Sequence, residues 1–365
     1  MNFIDLFAGA GGMSEGFTRA GFNPLVHVEM DGNACATLRT RTVYHALKAA
    51  DNLNSYWEYT KGERSQEELY AEIDSELLRK VIHAKIDRDT IEGIFENVDA
   101  VIGEQPVDLI VGGPPCQAYS MIGRSRDPNG MKGDERNHLF RYYAKFLEKY
   151  QPKVFVFENV AGLLSAKNGE YLRKMRADFG KKGYRTDIRT LISSDFGVVQ
   201  NRKRVIIIGW QEELKFQYPD FNIQRTGTTV NELLVDLPAL EPGDKFPFKE
   251  YTQIGTDYLY KNSLRNGQPF VTQNYTRWHN DRDLEIYRRA IELWVNERKR
   301  LHYDELPEKL KTHKNRTAFV DRYKVVNGEG KSHTVVAHLA KDGHYFIKPD
   351  LNQVRSLSCR EAARI

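Results

Sequence analysis

Four short stretches of the chain carry residues suited to chemistry. In "VGGPPCQAYS" Cys116 follows Pro114 and Pro115. Proline fixes φ and removes an amide donor, so the approach to this thiol is stiff and its direction is set. A thiolate so held can act as a nucleophile, although taken alone a small buried residue is the simpler account. In "FENV" Glu158 ends an apolar run. A partly desolvated carboxylate there suits a general acid, and a capping or salt-bridged glutamate is the plainer alternative. In "QNRKR" Arg202 and Arg204 stand at alternate positions entering "VIIIG". On one strand they share a face, and paired guanidinium groups hold an anion or a carbonyl oxygen. In "DLFAGAGG" the glycines let backbone approach a ligand, and Glu29 after the next apolar run can hold ribose hydroxyls. The turn lacks the Gly-Lys-Ser/Thr ending of a phosphate-binding loop and is a poor GxGxxG fingerprint. That favours a nucleoside without phosphate over a tight turn beside a surface acid.

The elements that must position these groups read as alternating strands and helices. "NFIDLF", "PLVHVEMD", "VDLIVGG", "KVFVFENV" and "KRVIIIGW" are apolar runs. "LFRYYAKFLEKY" and "YLRKMRADFGKKGY" are helical, and a helix starts near Ser14, a candidate N-cap. This alternation predicts a mostly parallel sheet with helices on both faces. Ligands of such sheets bind beyond the carboxyl ends of the strands, where the Gly-rich turn, Glu29, Cys116 and Glu158 all fall. Residues 40–95 are charged and helical in character. After Trp210, prolines and glycines break the pattern. The reading is a first domain over 1–214, a smaller irregular domain over 215–330 with one clear helix at "DRDLEIYRRAIELWVNERKRL", and a return segment over 331–365.

Composition sets the bounds. Apolar residues make up 40% and charged residues 28%, ordinary for a globular protein. No run nears the roughly 18 apolar residues of a membrane helix, and the N-terminus is unlike a secretion signal. Three cysteines without CxxC spacing predict a reducing, cytoplasmic setting and no metal site. A net charge of +4 permits a nucleic-acid partner.

Taken together and in order, "FIDLFAGAGGMSEGF", "VEMD", "GGPPCQAYS", "DERNHLFRYY", "FVFENVAGLL", "VVQNRKRVIIIG", "SHTVVAHLAKDGHYFIKPD" and "RSLSCREAARI" resemble the DNA (cytosine-5) methyltransferase family. The resemblance implies a Rossmann-like S-adenosylmethionine-dependent methyltransferase fold with a target-recognition domain at 215–330. It implies a cofactor shell of Asp5, Phe7, Ala8, Gly9, Gly11, Gly12, Glu29, Met30, Pro114 and Leu139, with Glu29 on the ribose and Met30 on the adenine. It makes Cys116 the nucleophile toward C6 of a flipped cytosine and Glu158 the partner of N3. Arg204, with Arg202, holds the base or orders the catalytic groups. Gln117, Ser120, Arg124, Arg126 and Thr334 are expected at the DNA, and Arg277, Asn315 and Arg316 are candidate readers of bases. The partners so implied are double-stranded DNA and a cognate restriction endonuclease.

Two departures from the family pattern stand out. Lys85 in "HAKIDRD" occupies the place of an aspartate that grips the adenine amino group, so Asp87, Asp89 or backbone takes that task. The sequence stops at "REAARI", where relatives continue into a final helix that completes the cofactor pocket. The expectation is truncation, or a second chain that supplies the missing segment; a DNA-binding subunit inactive without that partner is the alternative function. The tRNA-methylating branch is disfavoured, because no cysteine lies between Cys116 and Cys359.

Overall fold

Strands buried on both faces dominate the first half of the chain. In the computed structural model, which describes residues 1–115, 139–313 and 319–365, β1 (Asn2–Leu6) and β4 (Leu109–Gly112) are almost wholly buried. That is the signature of central parallel strands covered by helices. With β2 (Asn23–Glu29), β3 (Val81–His83), β5 (Val154–Asn159), β6 (Tyr184–Ile192) and β8 (Lys203–Gln211) they form one seven-stranded sheet in the order β3-β2-β1-β4-β5-β8-β6. The pairs β1/β2, β1/β4, β2/β3 and β4/β5 are parallel, and β5/β8 is antiparallel. This is the mostly parallel α/β sheet that the alternation of elements predicts.

From β1 the order runs one way to β2 and β3, and the other way to β4 and β5. The chain therefore reverses direction between β1 and β4, and a crevice opens there at the carboxyl ends. The register levels those ends: Leu6 lies opposite both Val28 and Gly112, and Gly112 opposite Phe157.

The helices follow from apolar spacing. The helices α1 (Gly12–Arg19), α2 (Gly32–Ala49), α3 (Ile91–Ile102), α4 (Leu139–Tyr150) and α5 (Glu170–Gly180) flank the sheet strands in sequence. On α4, Phe140, Tyr143, Ala144 and Leu147 recur at helical spacing and are buried. Tyr143 donates to the carbonyls of Ile110 (3.0 Å) and Val156 (3.1 Å), tying the helix to β4 and β5. The charged stretch after α2 forms short helices at Asn54–Lys61, Gln66–Tyr70 and Ser75–Arg79.

The chain divides into two units. The first comprises Met1–Tyr56, Ser65–Leu191 and Lys203–Phe221; the second comprises Trp57–Arg64, Ile192–Arg202 and Asn222–Ile365. Among its described residues the second has two small sheets, β9 (Phe248–Glu250) with β10 (Phe270–Thr272), and β7 (Gln200–Asn201) with β11 (Ser332–His333). Its helices include α6 (Val230–Leu234), α7 (Asp281–Glu297) and α8 (Cys359–Arg364). The Asn280 side chain caps α7, and Arg298 in the left-handed region (φ 56°) ends it before "RKRL", short of the helix expected from the sequence. In this unit Arg355, fully buried, donates to both carboxylate oxygens of Glu361 at 2.7 and 2.9 Å and to the Leu240 carbonyl.

Candidate active site

The turn after β1 is built from unusual backbone. Phe7 (φ 57°), Gly9 (φ 55°) and Gly11 (φ 80°) all lie in the left-handed region. For Phe7 that costs about 1–3 kcal/mol, a strain found where function over-determines geometry. At Gly11 the backbone conformation demands glycine, and a Cβ there would also press on the Leu38 side chain at 2.8 Å. Gly9 and Gly12 differ: beyond its chain neighbours, a Cβ on either meets no atom of the described residues within 4 Å. These two leave open a cradle that a ligand pressed against backbone can fill.

Glu29, at the end of β2, holds the turn in place. Its Oε2 accepts the Gly9 N–H at 2.8 Å, and its Oε1 accepts the N–H groups of Met30 and Asp31, each at 2.8 Å. Asp31 caps α2 through Ala34 N–H. The carboxylate therefore reaches the cradle already fixed, with a lone pair on Oε2 still free for a hydroxyl donor. Met30 is 56% exposed beside it.

Beneath the turn lies a buried polar chain that sequence reasoning missed. Ser14 donates to Asp5 at 2.5 Å and stands 3.1 Å from His27 Nδ1. Ser14 is not the N-cap expected from the sequence: Gly11 takes that position, and the Ser14 hydroxyl points inward. Asp5 thus pins α1 to β1 and β2 from below, with its carboxylate committed to Ser14.

Two strands across, β5 delivers Glu158. Arg204 Nε donates to Glu158 Oε1 at 2.6 Å, and its Nη1 donates to the Lys203 carbonyl at 2.8 Å. A Cβ on Gly113 would stand 2.8 Å from Glu158 Oε2. The carboxylate is thus clasped between a guanidinium and a stretch of bare backbone. Its neighbour Asn159, 1% exposed, donates to the Pro114 carbonyl at 3.3 Å, two residues before Cys116. Glu29 and Glu158 lie three strand spacings apart, about 14 Å.

The two arginines part company. Arg202 precedes β8 instead of sharing it with Arg204, because β7 is drawn off to pair with β11. The Arg202 guanidinium donates to the Val335 carbonyl at 3.4 Å, within the second unit. In the same unit Thr334 donates to the Asn201 carbonyl at 2.9 Å. Ala8 and Leu139 are half-buried, and Pro114 is buried. Lys85 pairs with Asp87 at 2.9 Å, and this contact holds the Asp87 carboxyl below its usual range. Asp87 also accepts the N–H groups of Asp89 and Thr90, so it is taken up locally. Cys116, Gln117, Ser120, Arg124, Arg126, Asn315 and Arg316 lie outside the described residues. Among the described residues no cluster of His, Cys, Asp and Glu could hold a metal, and no helix is long and apolar enough to cross a membrane.

The family model of the C-5 cytosine-specific DNA methylase matches residues 1–61 and 43–365. The chain is 40% identical over 402 aligned residues to the Type II methyltransferase M.Bpa9945I of Bacillus paralicheniformis, covering 100% of this chain and 90% of that protein. It is 30% identical to the Type II methyltransferase M1.HphI of Haemophilus parahaemolyticus, over 77% of this chain and 69% of that one. A crystal structure described as a DNA modification methyltransferase encoded within a prophage (E. coli) superposes with a TM-score of 0.61 at 21% identity, covering 100% of this chain and 87% of the other. It shares the fold. The chain belongs to the C-5 cytosine-specific DNA methylase family.

Proposed function

We propose that the chain is a Type II modification methyltransferase that methylates C5 of a cytosine within a specific duplex sequence, paired with a cognate restriction endonuclease. The observation that carries this reading is the convergence at one sheet edge. The open glycine cradle with Glu29, the clasped Glu158 and the Asn159-held approach to Cys116 all lie at level strand ends. The bare backbone at Gly9 and Gly12 fits the adenosyl portion of S-adenosylmethionine, with Glu29 Oε2 taking a ribose hydroxyl and Met30 beside the adenine. The lack of a phosphate grip matches a cofactor without phosphate. When bound, S-adenosylmethionine supplies an electrophilic methyl group on its sulfonium.

The chain's own residues do the rest. A target cytosine must leave the stack to be reached. Cys116 as thiolate adds to C6, and the electron pair moves toward C5. Glu158 meets N3 with a proton or a hydrogen bond, which offsets charge growing on the ring. Arg204 fixes the Glu158 carboxylate so that it needs no reorganisation during that step. C5 would take the methyl group as its bond to the sulfonium breaks, leaving a neutral thioether; the C5 proton passes to a water molecule acting as base, and elimination across C5–C6 returns the Cys116 thiolate.

A duplex containing 5-fluorocytosine at the target position tests this. Fluorine cannot leave as the C5 proton does, so the adduct persists. The expected result is a denaturation-resistant complex in the presence of S-adenosylmethionine, lost in Cys116→Ser with duplex binding retained. Absence of the complex with the wild-type chain on DNA that it methylates overturns the covalent route.

A further inference from the structure

We propose that residues 273–280, "QNYTRWHN", form a rigid DNA-reading strip in which Trp278 packs against the duplex, supported by Tyr275. The inference rests on the proposed function and assigns it a surface. Trp278 is 70% exposed and Tyr275 is 38% exposed, in a segment whose intervening side chains are buried: Asn274 at 3%, Thr276 at 5% and His279 at 5%. Trp278 lies beside Gly243 yet leaves most of its ring in solvent, which is unusual, since burying a tryptophan is strongly favourable.

The backbone that presents the ring cannot fold it away. Thr276 donates through its N–H to the Asp244 carbonyl (2.9 Å) and through its hydroxyl to the Glu241 carbonyl (2.6 Å). The Tyr275 carbonyl accepts the Cys359 N–H at 3.0 Å, and the Arg277 carbonyl accepts the Gly243 N–H at 3.1 Å. Ser358 donates to Asn274 Oδ1 at 2.6 Å. His279 Nε2 accepts the Ser356 N–H at 3.3 Å, which fixes its neutral tautomer. Asn280 then caps α7. Asn274, Thr276 and His279 by their side chains, and Tyr275 and Arg277 by their carbonyls, are thus tied to the rest of the unit, and the exposed side chains stand out from a fixed line. Gln273, at its start, is held in the left-handed region (φ 54°), which costs about 1–3 kcal/mol and is tolerated where the neighbours impose it.

The chemistry of the exposed row fits a nucleic acid. Gln273 offers an amide, Tyr275 a phenol and Trp278 a ring face, while the half-buried Arg277 keeps one guanidinium nitrogen on the Ala340 carbonyl and has its other donors left for a partner. Aromatic faces stack on bases or pack on sugars, and these polar groups suit base edges and phosphates. By the sequence the second unit carries a formal excess of +5 and the first −1, so the second is the one whose net charge favours a polyanion. Because the strip is already ordered, contact costs little conformational entropy.

The test uses the full chain and a duplex carrying the methylated target identified by sequencing. Trp278→Ala is expected to weaken equilibrium binding of that duplex about tenfold. Trp278→Phe is expected to restore most of the loss, and Tyr275→Ala to weaken binding less than Trp278→Ala. Affinity for S-adenosylmethionine and the thermal midpoint are expected to stay at wild-type values, because the indole is mostly in solvent. Duplex binding by Trp278→Ala equal to wild type overturns the proposal, and so does a loss matched by an equal fall in thermal midpoint. Failure of the proposed function reads differently: the wild-type chain then transfers no methyl group to any duplex.

Discussion

Gly113→Ala is the most discriminating single change. Gly113 is not in the left-handed region, so alanine fits its backbone and stabilises by restricting the unfolded chain, about 0.4–1 kcal/mol. The added Cβ stands 2.8 Å from Glu158 Oε2. An ordinary contact begins near 3.4 Å, so the carboxylate must retreat by about 0.6 Å, loosening its 2.6 Å bond to Arg204. A misplacement of about 1 Å near the chemistry costs on the order of a hundredfold. The expected loss in kcat is therefore about tenfold to fiftyfold, with cofactor affinity unchanged. Gly112→Ala is the control. Its Cβ would meet the Leu6 carbonyl at 2.7 Å and the Tyr143 ring at 2.9 Å, atoms held by the sheet. Overpacking there costs about 1–3 kcal/mol of stability. Single-turnover methyl transfer at saturating S-adenosylmethionine, with thermal unfolding beside it, separates the two. A Gly113→Ala enzyme that turns over like wild type, or that loses stability as Gly112→Ala does, refutes the placement of Glu158 in the reaction.

Three further outcomes follow from the same geometry. Glu29→Gln puts an amide NH2 against the N–H groups that the carboxylate now accepts, so the Kd for S-adenosylmethionine by calorimetry should rise about 10- to 100-fold, while duplex affinity holds. Asn159→Ala frees the Pro114 carbonyl, and 5-fluorocytosine trapping should slow about tenfold with cofactor affinity unchanged, whereas a merely structural asparagine would lower the thermal midpoint alone. Burial lowers His279 and His333 from 6.5 to about 4. The unfolded chain then takes up these protons first, so stability is complete above pH 6.5 and falls toward pH 4, by about 1.4 kcal/mol per pH unit for each histidine. For Glu361 burial works against the charge, but Arg355 and Lys348 outweigh it and bring the carboxyl to about 2, so its contribution is lost later, between pH 4.5 and 2. Urea unfolding across pH 2–7 reads both windows, and a flat profile between 7 and 5 would contradict the two histidines.

Local features were legible in the sequence where a single element carries them. The apolar runs became strands, the Gly-rich turn became the left-handed turn after β1, and "LFRYYAKFLEKY" became α4 with the expected buried stripe. Features that depend on distant pairing were not legible. Arg202 and Arg204 alternate in sequence, yet β7 pairs with β11 more than a hundred residues away and removes Arg202 from the strand. Ser14 has the residue type of a cap, and only the approach of β1 and β2 turns it toward Asp5 and His27. Asn159 looks like the tail of a motif until β4 lies beside β5 and brings Pro114 to it. Likewise "RKRL" continues the helical pattern of α7, but Arg298 turns the chain so that Leu301 and Tyr303 can join the core that α7 covers.

The second unit is not a single loop inserted into the first. It draws on three separated pieces of chain, Trp57–Arg64, Ile192–Arg202 and Asn222–Ile365. The first piece is knitted in by side chains: the Trp57 ring meets Phe270 edge-on, and the Lys61 ammonium sits over both Phe248 and Phe270. A chimera that transplants only the last piece from a relative would therefore leave two native segments facing a foreign core. Retargeting by recombination needs all three pieces exchanged at once, whereas retargeting by point substitution on an already rigid surface needs no exchange, which makes the second the shorter evolutionary and engineering path.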